Sequence, residues 1–385
     1  MIHDTSTIFF LILRSVLCGN KLSSEEKALV VKSDLQEIMT VAKKHDIAHL
    51  IAMGLQNNGI FIDNPRLKKD ILTAVYRYEQ LNYEFKRVCI VLEKTKIPFI
   101  PLKGFVICKY YPKPWMRTSC DVDILVKKAD FEKAVSCLKE ELGYSYYHDT
   151  EHDMSLTSPN GVHIELHFDL LEVGRAGLSN KVLSSVWDNV TPKKEYTYWY
   201  EMTDEMFYYY HIAHMAKHFE LGGCGIRPLI DLWILENMEG ISVEKRDALL
   251  KSGGLWRFAE KARLLCRVWM EDKPHDSVTK KMQEYIFHGG NYGNMDNAVV
   301  VSQYKNGGKL KYATSRIIIP YDEIKHEYPI LRKYPRLTPL MQVKRLFRLV
   351  FSGRLKLIMQ KLFGNKNASK LHSDDMERLM NEIGL

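Results

Sequence analysis

Paired cysteines are missing from this 385-residue sequence. Its seven cysteines (Cys18, Cys89, Cys108, Cys120, Cys137, Cys224 and Cys266) are odd in number, scattered and free of any CxxC spacing. That pattern argues against a disulfide framework and a cysteine zinc site, and for reduced thiols in the cytoplasm. A secretory leader is not expected either. The apolar patch Ile8–Leu13 follows Asp4, runs straight into Arg14, and lacks a basic start and a small-residue cleavage site. It is also too short to span a bilayer, so an amphipathic first helix is expected. Acidic residues are absent from 331–370, which hold eleven Lys and Arg, more than the whole net charge of +8. This basic stretch could pack on the core with its charges solvated, lie on an anionic membrane, or bind RNA phosphates. Without interleaved aromatics, RNA is the weaker of the last two.

The hydrophobic period divides what is present. Residues 1–95 read as helical, with Leu35, Ile38, Met39 and Ala42 at spacings near 3 and 4. A long helix is expected from Pro65 to about Lys94, burying Leu72, Val75, Leu81, Phe85, Val88 and Leu92. Residues 96–195 read as a small mixed α/β unit: a strand Ile97–Leu102, a strand Asp121–Val126, a helix Phe131–Leu142 stopped by Gly143, and strands over Tyr144–His148 and Ser155–Thr157. The turn Ser158-Pro159-Asn160-Gly161 then leads into a strand Val162–Phe168. Helical pattern returns over 196–290, where Thr203 caps one helix, Gly222-Gly223 ends it, and Pro228 opens the next toward Glu239. Residues 288–310 read as a loop, within a last region 291–385 of loop and basic amphipathic helices. The fold class expected is α+β: a small mixed sheet with helical regions on both sides.

Two aspartates one residue apart carry the chemistry. Asp121 and Asp123 sit in Asp-Val-Asp-Ile-Leu-Val, an apolar, β-branched run that reads as a buried strand. Side chains alternate along a strand, so both carboxylates project from one face about 7 Å apart. Such a pair resists burial unless a cation joins it, and Mg²⁺ is the usual one. On the strand 162–168, His163, Glu165 and His167 share a face. Glu165 is the natural third carboxylate, and three acids on neighbouring strands could hold two Mg²⁺ ions for phosphoryl transfer.

Leu102-Lys103-Gly104, Tyr111-Pro112-x-Pro114-x-x-Arg117, Asp121–Val126 and Ile164-Glu165-Leu166-His167 together resemble the uncharacterised bacterial nucleotidyltransferase family often called nucleotidyltransferase family 5. That family lies within the DNA polymerase beta-like superfamily. The resemblance extends to the N-terminal helices and to Tyr334-Pro335-x-Leu337. It implies transfer of a nucleoside monophosphate, AMP by default, from an NTP, with ATP the expected donor, to a hydroxyl of a small molecule or protein. It implies metal-ligand and catalytic roles for Asp121, Asp123 and Glu165, with Mg²⁺ or Mn²⁺. The phosphate-binding turn falls on Lys103-Gly104, where the superfamily has Gly followed by Ser or Gly. Here no hydroxyl follows, so Gly104 would admit phosphate to the backbone and Lys103 would add charge, unless Lys103 is a solvent-facing turn residue. Arg117 could grip phosphate, or anchor its loop through a salt bridge. The resemblance favours substrate contacts from His167, which could orient Glu165, and from the helix carrying His211, His214 and His218. It extends them to Arg227 and Asp231, which at i, i+4 could equally be a plain helix pair. The three helix histidines lack an acid or cysteine to complete a zinc site. The absent hydroxyl also motivates an alternative, an inactive nucleotide-sensing or partner-binding protein. The basic stretch motivates a third, an RNA-directed transferase.

Overall fold

The computed structural model describes residues 5–60, 65–150, 152–170, 179–290, 318–351 and 369–385, with single positions between 290 and 318. Most of the expected loop 288–310 and the end of the basic stretch lie outside the described residues. The fold is α+β, as expected. Five strands form a mixed sheet: β1 Phe99–Pro101, β2 Asp121–Val126, β3 Ser145–Asp149, β4 Asp153–Thr157 and β5 His163–His167, in the order β1-β2-β5-β4-β3. Only β2 and β5 pair in parallel; the other pairs are antiparallel. A two-stranded ribbon, β6 Val190–Pro192 with β7 Tyr200–Met202, follows.

The alternation along β2 and β5 decides what each face of the sheet meets. Val122, Ile124 and Val126 join Ile164 and Leu166 in a core closed by Leu81, Phe85, Val88 and Leu92 of the helix Pro65–Lys94. Phe131, Ala134, Val135 and Leu138 of the helix Phe131–Leu142 complete it. Each Val, Leu, Ile or Phe among them contributes about 1.5–3 kcal/mol when buried, and together they set the register that turns the aspartates to the opposite face. That face, with Leu125, Ile100 and Leu102, joins a second core shared by the helices Thr5–Leu17 and Asp204–Glu220. The N-terminal helices thus pack with the later helical region.

Local signals behave as their chemistry requires. Gly143 adopts a left-handed φ of 71° and ends its helix, with Tyr144 N–H donating to Leu138 O. Thr203 Oγ1 accepts from Met206 N–H at the start of Asp204–Glu220. The Ser158–Gly161 turn joins β4 to β5. A buried Glu84 on the long helix accepts from Tyr144 Oη, Asn160 Nδ2 and Arg87 Nη1, pinning that turn and the start of β3 to the helix.

Two expectations about helices need correction. Leu72 is 67% exposed, because the buried stripe of the long helix runs through Leu67, Ala74, Leu81 and Val88. Five residues past Leu67 is about 140° round the helix, on the far side. The helix opened by Pro228 ends at Glu236, short of Glu239. In the basic stretch, the helix Thr338–Phe351 packs Met341 toward a small cluster of Ile319, Ile324 and Leu331. Arg345 and Arg348 pair with Glu327, and Leu340, Val343, Phe347 and Phe351 remain exposed. Among the described residues, no helix is long and apolar enough to cross a membrane.

Candidate active site

The parallel register of β2 with β5 sets Asp123 opposite Glu165 and Asp121 opposite His163, all on the face turned from the Val122–Ile164 core. Asp123 is 3% exposed, whereas Glu165 is half-buried. Just before them the chain leaves β1 through Leu102, whose N–H donates to Asp123 O, and turns at Lys103. Lys103 holds a φ of +44°, a backbone conformation that costs a side-chain-bearing residue about 1–3 kcal/mol. The turn aims its Nζ inward, 2.6 Å from Asp123 Oδ1 and 4.0 Å from Glu165 Oε2. Lys103 is therefore a buried ion-pair partner and not a solvent-facing turn residue.

His167 completes the cluster. Its Nε2 lies 3.0 Å from Asp123 Oδ1 and 3.6 Å from Glu165 Oε2, and its Nδ1 lies 3.9 Å from Asp153 Oδ2. Burial lowers the proton affinity of His167, but its hydrogen bond to Asp123 and the nearby Glu165 carboxylate outweigh that and raise its pKa. For Asp123, burial favours the neutral acid, yet the Lys103 ammonium and the His167 hydrogen bond hold its carboxyl far below the usual range. For Asp121, burial first, and then the charge of Asp123, outweigh the Lys103 and Arg117 charges and push it up to about 6. A buried carboxylate crowded by another is the electrostatic condition that a divalent cation relieves. Ligand atoms of Asp123, Glu165 and His167 lie within 4.8 Å of one another. The tight group therefore has His167 where Asp121 was expected, with Asp121 one strand step away on the same face. The carboxylate oxygens suit a hard ion such as Mg²⁺.

The loop before β2 is bolted to the helix Arg227–Glu236 by two buried links. Arg117 donates from Nη2 to Asp231 Oδ2 at 2.9 Å and from Nε to both Asp231 oxygens at 3.3 Å; Tyr111 Oη donates to Asp231 Oδ1 at 2.6 Å. Burial opposes ionisation of Asp231, but the Arg117 charge lowers its pKa. Arg227 Nη1 donates to Asp46 Oδ2 at 2.9 Å and to Thr118 Oγ1 at 3.2 Å. Arg227 and Asp231 thus bind across to other elements instead of forming a helix pair, and Arg117 anchors its loop. Arg117 Nη1 also donates to Ser119 Oγ at 2.9 Å. A Cβ on Gly104 would meet that same hydroxyl at 2.4 Å. Ser119, a residue that sequence reasoning missed, thus places a hydroxyl beside Gly104, where none follows Lys103 in sequence.

Across the cleft stands the helix Asp204–Glu220. His214 and His218 face each other with Nε2 atoms 3.2 Å apart, while His211 is engaged by Pro228 O at 2.8 Å. The three do not converge. Burial, and then the Lys103 charge, hold His214 neutral. The cleft between helix and sheet measures about 400 Å³. Lys103, Arg117, Asp121, Asp123, Glu165, His167, His214, His218, Arg227 and Asp231 all line it, as do Ser119, Lys217, His152 and Asp153. The last two could have been found by counting outward from the Ser158–Gly161 turn, since β4 and β5 pair in equal steps to Asp153 opposite His167.

A family model described as an uncharacterised nucleotidyltransferase matches residues 32–271, which contain every residue of this site. The match stops short of the Tyr334 region. No curated protein matches the chain. Among solved structures, the solution structure of the antibiotic-resistance factor ANT(2'')-Ia aligns with 46% of this chain and 91% of its own, at 9% identity and a TM-score of 0.34.

Proposed function

Because the chain belongs to the family of uncharacterised nucleotidyltransferases, we propose that it moves a nucleoside monophosphate, AMP by default, from an NTP to a hydroxyl of a small molecule or protein, releasing pyrophosphate. The observation that supports this reading is Asp123 set opposite Glu165 on parallel strands, facing a cleft that also carries Lys103, Arg117, Lys217 and Arg227. We assign the ion ligands to Asp121, Asp123 and Glu165, with Mg²⁺ first and Mn²⁺ as substitute. Bound there, the ion supplies Lewis acidity to the attacking hydroxyl and neutralises charge on the departing pyrophosphate. The rest falls to the chain. Gly104 lets the backbone approach the triphosphate, with the Ser119 hydroxyl beside it. Lys103 moves its ammonium from Asp123 to phosphate oxygen as the nucleotide arrives, and His167 holds Asp123 and Glu165 in place through its Nε2 proton. Arg117 and Asp231 hold the loop that delivers Asp121.

Purified protein incubated with each NTP labelled in the α-phosphate and Mg²⁺, alone and with cell extract, tests the proposal. Label should transfer and pyrophosphate appear, and Asp121→Ala should abolish both. Silence with every NTP, with nucleotide binding indifferent to Asp121→Ala, sinks it. One observation favours the second reading, a nucleotide sensor: the Lys103–Asp123 pair at 2.6 Å already neutralises the carboxylate. Calorimetry separates the two, because a sensor binds NTP and leaves it intact. For partners beyond NTP and acceptor, the exposed apolar face of Thr338–Phe351 in a basic stretch suits an anionic membrane surface better than RNA. The seven cysteines, none of them in a disulfide among the described residues, accord with a cytoplasmic setting.

A further inference from the structure

Beside the carboxylates proposed for Mg²⁺ lies a second set of donors of different chemistry. Asp153 opens β4 directly opposite His167 on β5, and His152 precedes it. The His152 Nε2 lies 3.1 Å from Asp153 Oδ2, and His167 Nδ1 lies 3.9 Å from the same oxygen. One ligand atom from each of the three fits within 4.8 Å of the others. Tetrahedral Zn²⁺ with ligands about 2.0–2.1 Å away sets those ligands about 3.3 Å apart, so the cluster closes with a small inward shift. Asp153 and His167 are buried, at 7% and 5% exposed, and all three line the cleft, which leaves an inserted ion open to a further ligand.

The remaining ring nitrogens argue for a built site. His152 Nδ1 lies 3.3 Å from Thr150 Oγ1, and His167 Nε2 lies 3.0 Å from Asp123 Oδ1. Each imidazole is thus oriented through one nitrogen while the other turns toward Asp153. Metal-bound histidines are held in this way, often by a carboxylate. Two imidazoles and one carboxylate suit a borderline transition ion and not Mg²⁺, which prefers an all-oxygen shell.

We propose that His152, Asp153 and His167 form a binding site for a Zn²⁺-class transition-metal ion, distinct from the Mg²⁺ position and bridged to it by His167. With Nδ1 on the metal, His167 keeps its proton on Nε2 and donates it to Asp123. That hydrogen bond leaves the other Asp123 oxygen free for its own role. The site stands independently of nucleotidyl transfer, so its test uses neither nucleotide nor turnover. Full-length protein stripped with chelator is titrated with Co²⁺ in excess Mg²⁺, following the visible d–d band of tetrahedral cobalt, and then with Zn²⁺ as competitor. One equivalent of Co²⁺ should give the band, and Zn²⁺ should displace it. His152→Gln and Asp153→Asn, with unfolding curves matched to wild type to confirm the fold, should each lose the band, whereas Asp121→Asn and Glu165→Gln should keep it. Asp123→Asn should weaken binding about 10–100-fold through His167. No band in the wild type, or a band that survives Asp153→Asn and vanishes with Glu165→Gln, overturns the proposal.

Discussion

Replacing Lys103 by Met probes how the site balances its charge before substrate arrives. The ammonium lies 2.6 Å from an Asp123 carboxylate that is only 3% exposed, while the lysine itself retains 23%. Removing one partner from a buried ion pair costs about 3–5 kcal/mol. The lysine's residual exposure, and the His167 hydrogen bond to the same Asp123 oxygen, place this case near the lower end, about 3 kcal/mol. A divalent ion able to take the vacated position returns much of that. An ion present at about 100 times its dissociation constant contributes about 2.7 kcal/mol.

Urea unfolding of wild type and Lys103→Met, each in chelator and in saturating Mg²⁺, measures both quantities. In chelator the variant should lose about 3 kcal/mol, and Mg²⁺ should stabilise it more than the wild type, where the ion must displace the ammonium. Lys103→Met with Asp123→Asn should recover part of the chelator loss, since neither charge is then left unpaired. An equal loss with and without Mg²⁺ refutes the idea that lysine and metal share one position. So does a double variant no more stable than the single one.

Three further outcomes follow from the geometry. Gly104→Ala places a methyl 2.4 Å from Ser119 Oγ and should destabilise by about 1–3 kcal/mol and weaken NTP binding; adding Ser119→Ala should restore stability but not affinity, as read by urea midpoints and calorimetry. Asp231→Ala strands the buried Arg117 and should cost about 3–5 kcal/mol, against about 1 kcal/mol for Tyr111→Phe; equal losses would show that Arg117 does not depend on Asp231. His45, fully buried against Phe287, is lowered to about 4, chiefly by desolvation. The folded state keeps it neutral while the unfolded chain takes up a proton near pH 6.5, so stability falls as pH drops from about 6.5 toward 4. Between about pH 7 and 5 this amounts to about 2 kcal/mol, which His45→Leu should abolish as a slope in urea midpoints.

What could be read from the residues divides along a physical line. The β2 and β5 strands were legible because alternation and β-branching act over a few neighbouring positions, and two faces of opposite chemistry permit only one register. The carboxylate face followed from that alone. Partner choice did not, because it depends on which chain segments arrive at one point. Arg227 and Asp231 are spaced for each other, yet each finds a partner more than a hundred residues away, Asp46 and Arg117. For Lys103 the residues leave open a charge for phosphate or a solvent-facing turn, because nothing local reveals that a positive φ swings its ammonium onto Asp123. Asp153 was hidden by a smaller error. The residues mark β4 only from Ser155, two residues late, which leaves Asp153 in a loop and breaks the count to His167. The Ser158–Gly161 turn held the information needed to correct this, since a hairpin's register is set at its turn and propagates outward. A strand's end is poorly marked by its own residues and well marked by its partner's, so carboxylates and imidazoles at strand ends are best sought by pairing before propensity.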